Sequence, residues 1–149
     1  MTDVFVNLPT TDLRRSQDFY TALGFRVEPG FTDENASCIV VGEHVYLMIL
    51  TREFLAGFTD KPIIDPRTHL QTMTALSRTS RDEVDAAMAA GLAAGGSEPR
   101  PPQDFGFMYG RDLEDPDGNV IEFVWMDPRA AEGSSTADAA DAADAPAAE

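Results

Sequence analysis

Asp115-Pro116-Asp117-Gly118-Asn119, followed by Val120-Ile121-Glu122-Phe123-Val124-Trp125-Met126, reads as a tight turn feeding a strand. Proline presets the backbone of the turn, Asp caps its own chain, and Gly supplies the conformation other residues avoid. In the strand, Val120, Glu122 and Val124 share one face, and Ile121, Phe123 and Trp125 share the other. The bulkier set should meet a helix, which turns Glu122 toward the opposite, cavity side. Upstream, Phe105 to Leu113 is predicted as the antiparallel partner, preceded by a short strand around Ser97 to Arg100.

Further out, Leu70 to Ser77 reads as a strand, and Ser80-Arg81-Asp82-Glu83 as a capping box opening a helix. Val84, Met88 and Leu92 fall on that helix's buried face, and Gly95-Gly96 ends it. The N-terminal half has the same order. A strand over Asp3 to Leu8 stops at Pro9, and Thr10-Thr11-Asp12 caps a helix along Leu13, Ser16, Phe19, Tyr20 and Leu23. After Gly24 come strands over Phe25 to Glu28, Ala36 to Val41 and Val45 to Leu50, the last two joined at Gly42-Glu43-His44. The result is β-α-β-β-β twice, at a period of roughly seventy residues. The modules cover about residues 3–51 and 69–127, with Thr59 to Thr68 between them. Neither half covers its own sheet, so both pack into one unit of residues 1–127, an α+β fold.

The chain of 149 residues carries 26 acids and 11 bases, a formal charge of −15. Lys61 is its only lysine, and the arginines are scattered, which excludes the basic stripe of a nucleic-acid binder and repels an anionic membrane. Residues 128–149 hold five acids and ten alanines but no larger apolar side chain, so they are expected to form a disordered acidic tail. One cysteine, Cys38, lies in the apolar run Ser37-Cys38-Ile39-Val40-Val41 and reads as a small buried hydrophobe. A lone cysteine excludes an internal disulfide and a multi-cysteine zinc site. The N-terminus lacks a signal-peptide pattern, and no run reaches the length of a membrane span, so a cytoplasmic location is expected.

Asn7-Leu8-Pro9, Asp12-Leu13, Ser16, Phe19-Tyr20 and Leu23-Gly24-Phe25, together with Asp115 to Asn119 and Glu122, resemble the glyoxalase/bleomycin resistance/extradiol dioxygenase proteins, the vicinal oxygen chelate superfamily. Gly106-Phe107-Met108-Tyr109 and Trp125-Met126-Asp127 resemble more narrowly a bacterial branch labelled "predicted lactoylglutathione lyase". The resemblance implies paired βαβββ modules whose strands form an open curled sheet around a cavity, with helices outside. It also implies a homodimer. In metal-dependent relatives four inner-strand positions hold a divalent ion. Carried over, they fall on Phe5, Met48, Met73 and Glu122, and Glu122 is the only retained ligand type. Hard ions need several oxygen or nitrogen donors. No cofactor is therefore expected, the alternative being a divalent ion held through Glu122 and His69.

Two functions follow. The first is binding of a small hydrophobic or aromatic molecule in a metal-free cavity lined by Phe5, Asn7, Tyr46, Met48, Met73, Tyr109 and Glu122. Flexible thioethers repack around flat ligands, although Met48 and Met73 are equally able to fill the core. The second is a glyoxalase-like lyase or isomerase, or a dioxygenase-type enzyme, with Glu122 as base or metal ligand. A desolvated carboxylate suits either role, and it equally suits a structural one, hydrogen-bonded to Asn7, Tyr46 or Tyr109. Asp115 to Asn119 is read as hairpin geometry, not as a calcium loop, and Asp12 as a helix cap.

Overall fold

The first module runs β1 (Val4–Thr10), α1 (Leu13–Ala22), β2 (Arg26–Val27), β3 (Ala36–Gly42) and β4 (Val45–Thr51), in a computed structural model describing residues 1–132. A short helix α2 (Arg52–Ala56) follows. The second module runs β5 (Met73–Ser77), α3 (Arg81–Ala93), β6 (Gln103–Asp104), β7 (Met108–Glu114) and β8 (Val120–Met126). Each module is one open, mixed, four-stranded sheet, ordered β1-β4-β3-β2 and β5-β8-β7-β6. The duplicated α+β arrangement read from the sequence is present, as two open sheets that do not close into a barrel.

Local chemistry accounts for most of the boundaries. Asp12 caps α1 by accepting from Arg15 N, and Gly24 turns the chain out at φ 91°. Ser80 caps α3 by accepting from Glu83 N, while Glu83 reaches back to Thr79 N rather than to the cap itself. β8 spans the predicted residues.

Five readings shift. Pro9 does not end its strand: β1 is an edge strand, where a missing N–H is tolerated, and Pro9 pairs with Leu50. β5 starts only at Met73, because Leu70 to Thr72 cross from the linker along the edge of β1. The predicted strand near Ser97 shrinks to a single bridge, Ser97 to Glu114, and the edge strand forms later, at β6. Leu92 is exposed, and Gly91 takes its place against the sheet. A Cβ on Gly91 would stand 2.3 Å from Leu113 Cδ2, so helix and strand approach more closely there than any side chain permits. Finally, a one-turn helix, α4 (Pro128–Glu132), occupies the start of the expected tail, whose residues 133–149 lie outside those described.

One core joins the modules. Leu8, Phe19, Tyr20, Ile39, Leu47 and Ile49 from the first pack with Leu76, Val84, Met88, Leu113, Ile121 and Phe123 from the second, all buried. Each sheet therefore buries the face toward α1 or α3; the other face is open on the second sheet and open in part on the first, where Leu55 of α2 packs with Ala36 and Leu50. Cys38 is fully buried.

The turn after β7 does more than reverse the chain. Asp115, Asp117 and Asn119 are all buried. Asp117 accepts from Thr10 Oγ1 (2.6 Å), Thr11 N (2.9 Å), Thr11 Oγ1 (2.7 Å) and Arg15 Nη2 (3.0 Å), all in the first module. Asp115 accepts from the buried Tyr20 hydroxyl at 2.8 Å, and Asn119 Nδ2 donates to Pro9 O at 3.0 Å. Burial pushes the Asp115 carboxyl up. Burial alone would do the same to Asp117, but its Thr10 and Thr11 donors and the Arg15 charge hold it below the ordinary aspartate range.

Candidate functional site

Strand register decides which side chains meet on the open faces. In the parallel pair β1–β4, Phe5 lies opposite Tyr46 and Asn7 opposite Met48, so these four share the face away from α1. The Phe5 and Tyr46 rings stack with centroids 4.7 Å apart and planes 11° from parallel. Phe5 remains 46% exposed, offering an apolar ring to solvent. Met48 is partly taken up as filler, packed against the small cluster of Ala36, Leu50 and Leu55.

In the second sheet the pairs are Met73–Val120, Ala75–Glu122 and Ser77–Val124 on one side of β8, and Asp112–Glu122 and Gly110–Val124 on the other. Met73 is 40% exposed. Glu122 thus sits between a small alanine and a like charge. Its carboxyl lies over Gly110, where a Cβ would fall 3.0 Å from Oε1. Among the described residues it accepts no hydrogen bond, so none of the anticipated partners Asn7, Tyr46 and Tyr109 holds it. Partial burial raises the Glu122 carboxyl above its ordinary range, the Asp112 charge adds to this, and Arg100 offsets part of it. Asp112 is buried and accepts from Arg100 Nε at 2.7 Å.

The two open faces adjoin where Gln71 Nε2 donates to Asn7 O at 3.3 Å, just ahead of β5. Phe5, Asn7, Tyr46 and Met48 therefore line one sheet, and Met73 and Glu122 the other. With Phe5 and Met73 this exposed, the expected cavity is an open surface within one chain.

Tyr109 is not on it. It lies three residues before Asp112, hence on the opposite face, where its hydroxyl donates to Asp85 on α3 at 2.6 Å and Arg81 stacks on its ring. Counting back from the Asp115 turn pairs Glu114 with Val120 and Asp112 with Glu122. That count, available in the sequence, excludes Tyr109 and finds Asp112. Nothing local marks Arg100, which reaches Asp112 from the Pro99-Arg100-Pro101-Pro102 segment.

The donor set does not match a hard divalent ion. Phe5 offers no ligand, Met48 and Met73 offer thioethers suited to soft ions, and Glu122 alone offers oxygen. His44 pairs with Asp3 at 2.7 Å beyond the end of β1, and His69 sits in the linker beside Thr68. Among the described residues no three His, Cys, Asp or Glu side chains cluster in a way that could hold an ion. No helix among them is long and apolar enough to cross a membrane.

Residues 2–42 match the family model described as bleomycin resistance protein-like N-terminal. No curated protein matches the chain. Among solved structures, a hypothetical protein from S. aureus is 24% identical, with 84% of this chain and 94% of that one covered and a TM-score of 0.71. A glyoxalase/bleomycin resistance protein from Albidiferax ferrireducens is 26% identical, covering 81% and 95%, with a TM-score of 0.61. A bleomycin resistance determinant encoded on transposon Tn5 is 19% identical, covering 85% and 98%, with a TM-score of 0.60. The duplicated module, the open face and these likenesses converge: the chain has the fold of the glyoxalase/bleomycin resistance/dioxygenase proteins, the vicinal oxygen chelate superfamily, and its residues 2–42 match the bleomycin resistance protein-like N-terminal model.

Proposed function

We propose that the protein binds a small hydrophobic or aromatic molecule on its open sheet faces without a resident metal ion. The carrying observation is the pairing of an exposed, stacked Phe5–Tyr46 platform with a Glu122 carboxyl that no described protein donor satisfies. A ring stacks on Phe5, Met73 conforms to its edge, and Glu122 takes the ligand's polar group. Asn7 adds an amide at the seam between the sheets. The raised carboxyl favours a second reading, proton abstraction with Glu122 as base, as in a glyoxalase-like lyase or isomerase. Both readings are in keeping with solved structures of the same fold named as a glyoxalase/bleomycin resistance protein and as a bleomycin resistance determinant.

A thermal-shift screen of neutral aromatic compounds against the full chain tests the reading. Stabilisers are expected whose effect falls at least about tenfold in apparent affinity on Glu122→Gln, the size of one lost hydrogen bond to a charged group. Stabilisers indifferent to that change remove Glu122 from the site. Elemental analysis of the same sample after incubation with zinc, nickel, iron or manganese should give no stoichiometric metal; metal that Glu122→Gln abolishes overturns the metal-free reading.

We also propose that two chains pair to cover these faces. Phe5, Met73 and Met126 are too exposed to line a closed pocket within one chain, and burying such surface drives association. Light scattering should then give about twice the 16.2 kDa chain mass. A monomer at micromolar concentration refutes pairing.

A further inference from the structure

Among the described residues Arg100 is the one cation placed beside Glu122, and three of its five N–H donors, one on each nitrogen, are directed elsewhere. Nε points to Asp112 Oδ2 at 2.7 Å. With the Gln103 amide turned to place its oxygen inward, both terminal nitrogens reach that oxygen, at 3.0 and 2.9 Å. The flanking Pro99 and Pro101 restrict the backbone that carries Arg100. Asp112 and Glu122 are directly opposed on neighbouring strands, an arrangement that is repulsive when both are charged. Every other neighbour of Glu122 can be named. On β5 the facing side chains are Met73, Ala75 and Ser77, none of them charged. On β7 they are Gly110, Asp112 and, one pair further, Glu114, which accepts from Ser97. Arg111 and Asp85 pair with each other on the opposite face of the sheet. From the first sheet, Phe5, Asn7, Tyr46 and Met48 bring no carboxylate or cation.

We propose that Arg100 and Asp112 are positioning residues for Glu122: by pairing with each other they leave Glu122 as the free acceptor of this face, so that ligands dock there through a hydroxyl or N–H donor and carboxylate-bearing ligands are turned away. This rests on Glu122 facing the ligand, and it goes further by naming the class that fits, a neutral donor-bearing aromatic or apolar molecule. Anionic conjugates meet Glu122 beside an Arg100 whose charge Asp112 already balances. Gly110 contributes by leaving room for the carboxyl to lie along the sheet.

The test is carboxyl-carbon NMR of Glu122 in the full chain, titrated in the wild type, Asp112→Asn and Arg100→Gln, with circular dichroism confirming that each variant is folded. Asp112→Asn should lower the Glu122 midpoint by about half a pH unit, and Arg100→Gln should raise it by a similar amount, as expected for charges a few ångströms apart beside water. A purely structural role for either residue leaves the midpoint in place. Benzyl alcohol and benzoate then serve as probes of matched size. Benzyl alcohol should perturb the Glu122 resonance and benzoate should not. An unmoved midpoint in Asp112→Asn overturns the positioning role, and benzoate perturbing Glu122 as strongly as benzyl alcohol overturns the ligand class. If benzyl alcohol leaves the resonance unchanged while the midpoints move as expected, the binding reading fails and the positioning role stands.

Discussion

Asp117→Ala is expected to destabilise the protein by about 3–5 kcal/mol, enough to unfold much of a domain with ordinary reserves. The carboxylate is 3% exposed and gathers donors from Thr10, Thr11 and Arg15, with Ser16 Oγ at 3.3 Å. Alanine removes the shared acceptor of all these donors, leaves the Thr10 hydroxyl only Ser16 Oγ and Asp12 O as acceptors, and leaves the Arg15 guanidinium without its carboxylate. Each lost hydrogen bond to a charged group costs about 1.5–3 kcal/mol. Because those donors belong to one module and Asp117 to the other, the loss should appear as weaker docking of the modules. Urea unfolding should show a midpoint lower by more than about 1 M. A change below about 0.3 M would show that the modules do not depend on this carboxylate.

The same group predicts a pH dependence whose sign can be worked out. The folded protein holds Asp117 below the ordinary aspartate range, so its contribution is present above about pH 4 and lost as pH falls through the folded value. Asp115 is shifted the other way by burial, so its ionisation costs stability as pH rises through its raised value. The stability gap between wild type and Asp117→Asn should therefore begin to narrow below about pH 4 and close only once pH has fallen through the depressed folded value, where both side chains are neutral. It should be widest near neutrality.

Gly118→Ala is expected to cost about 3 kcal/mol or more. Gly118 has φ 96°, a conformation that costs an ordinary residue about 1–2 kcal/mol. Its surroundings add a second penalty, since a Cβ would stand 2.8 Å from Arg67 N and Pro66 C. Those are backbone atoms of the inter-module linker and cannot rotate aside. Gly106→Ala supplies the control: φ is 80°, but nothing lies within 4 Å, so only the conformational cost of about 1–2 kcal/mol should appear. Equal losses in the two variants would mean that the linker yields freely and does not clamp the turn.

Glycine in such a turn was legible; its contact with the linker was not. The same division runs through the site. The alternation over Val120 to Met126 placed Glu122 opposite Ile121 and Phe123, and those two are fully buried. Composition alone does not tell the two faces of Tyr109's strand apart; the hairpin register carried back through Asp112 does, and it puts Tyr109 on the face opposite Glu122. Leu92 fits a helical stripe, but the helix rotates so that Gly91 meets Leu113, and no helical periodicity rewards a missing side chain. Met48 and Met73 diverge for a similar reason: Met48 has Leu50 and Leu55 to pack against, while Met73 lies on an edge strand and stays open.

By itself the sequence determined the duplicated βαβββ order, the caps and turns, and the face of each long strand. Each depends on residues a few positions apart, where backbone geometry leaves few choices. Only the tertiary structure decided that Asp117 is the tie between modules, that the linker closes over Gly118, and that Arg100 is committed to Asp112 and not to Glu122. Asp117 and Arg15 stand 102 positions apart, and even Arg100 and Asp112 meet only because a loop folds back over the sheet. Such meetings follow from how complete elements dock, and local pattern carries no record of docking.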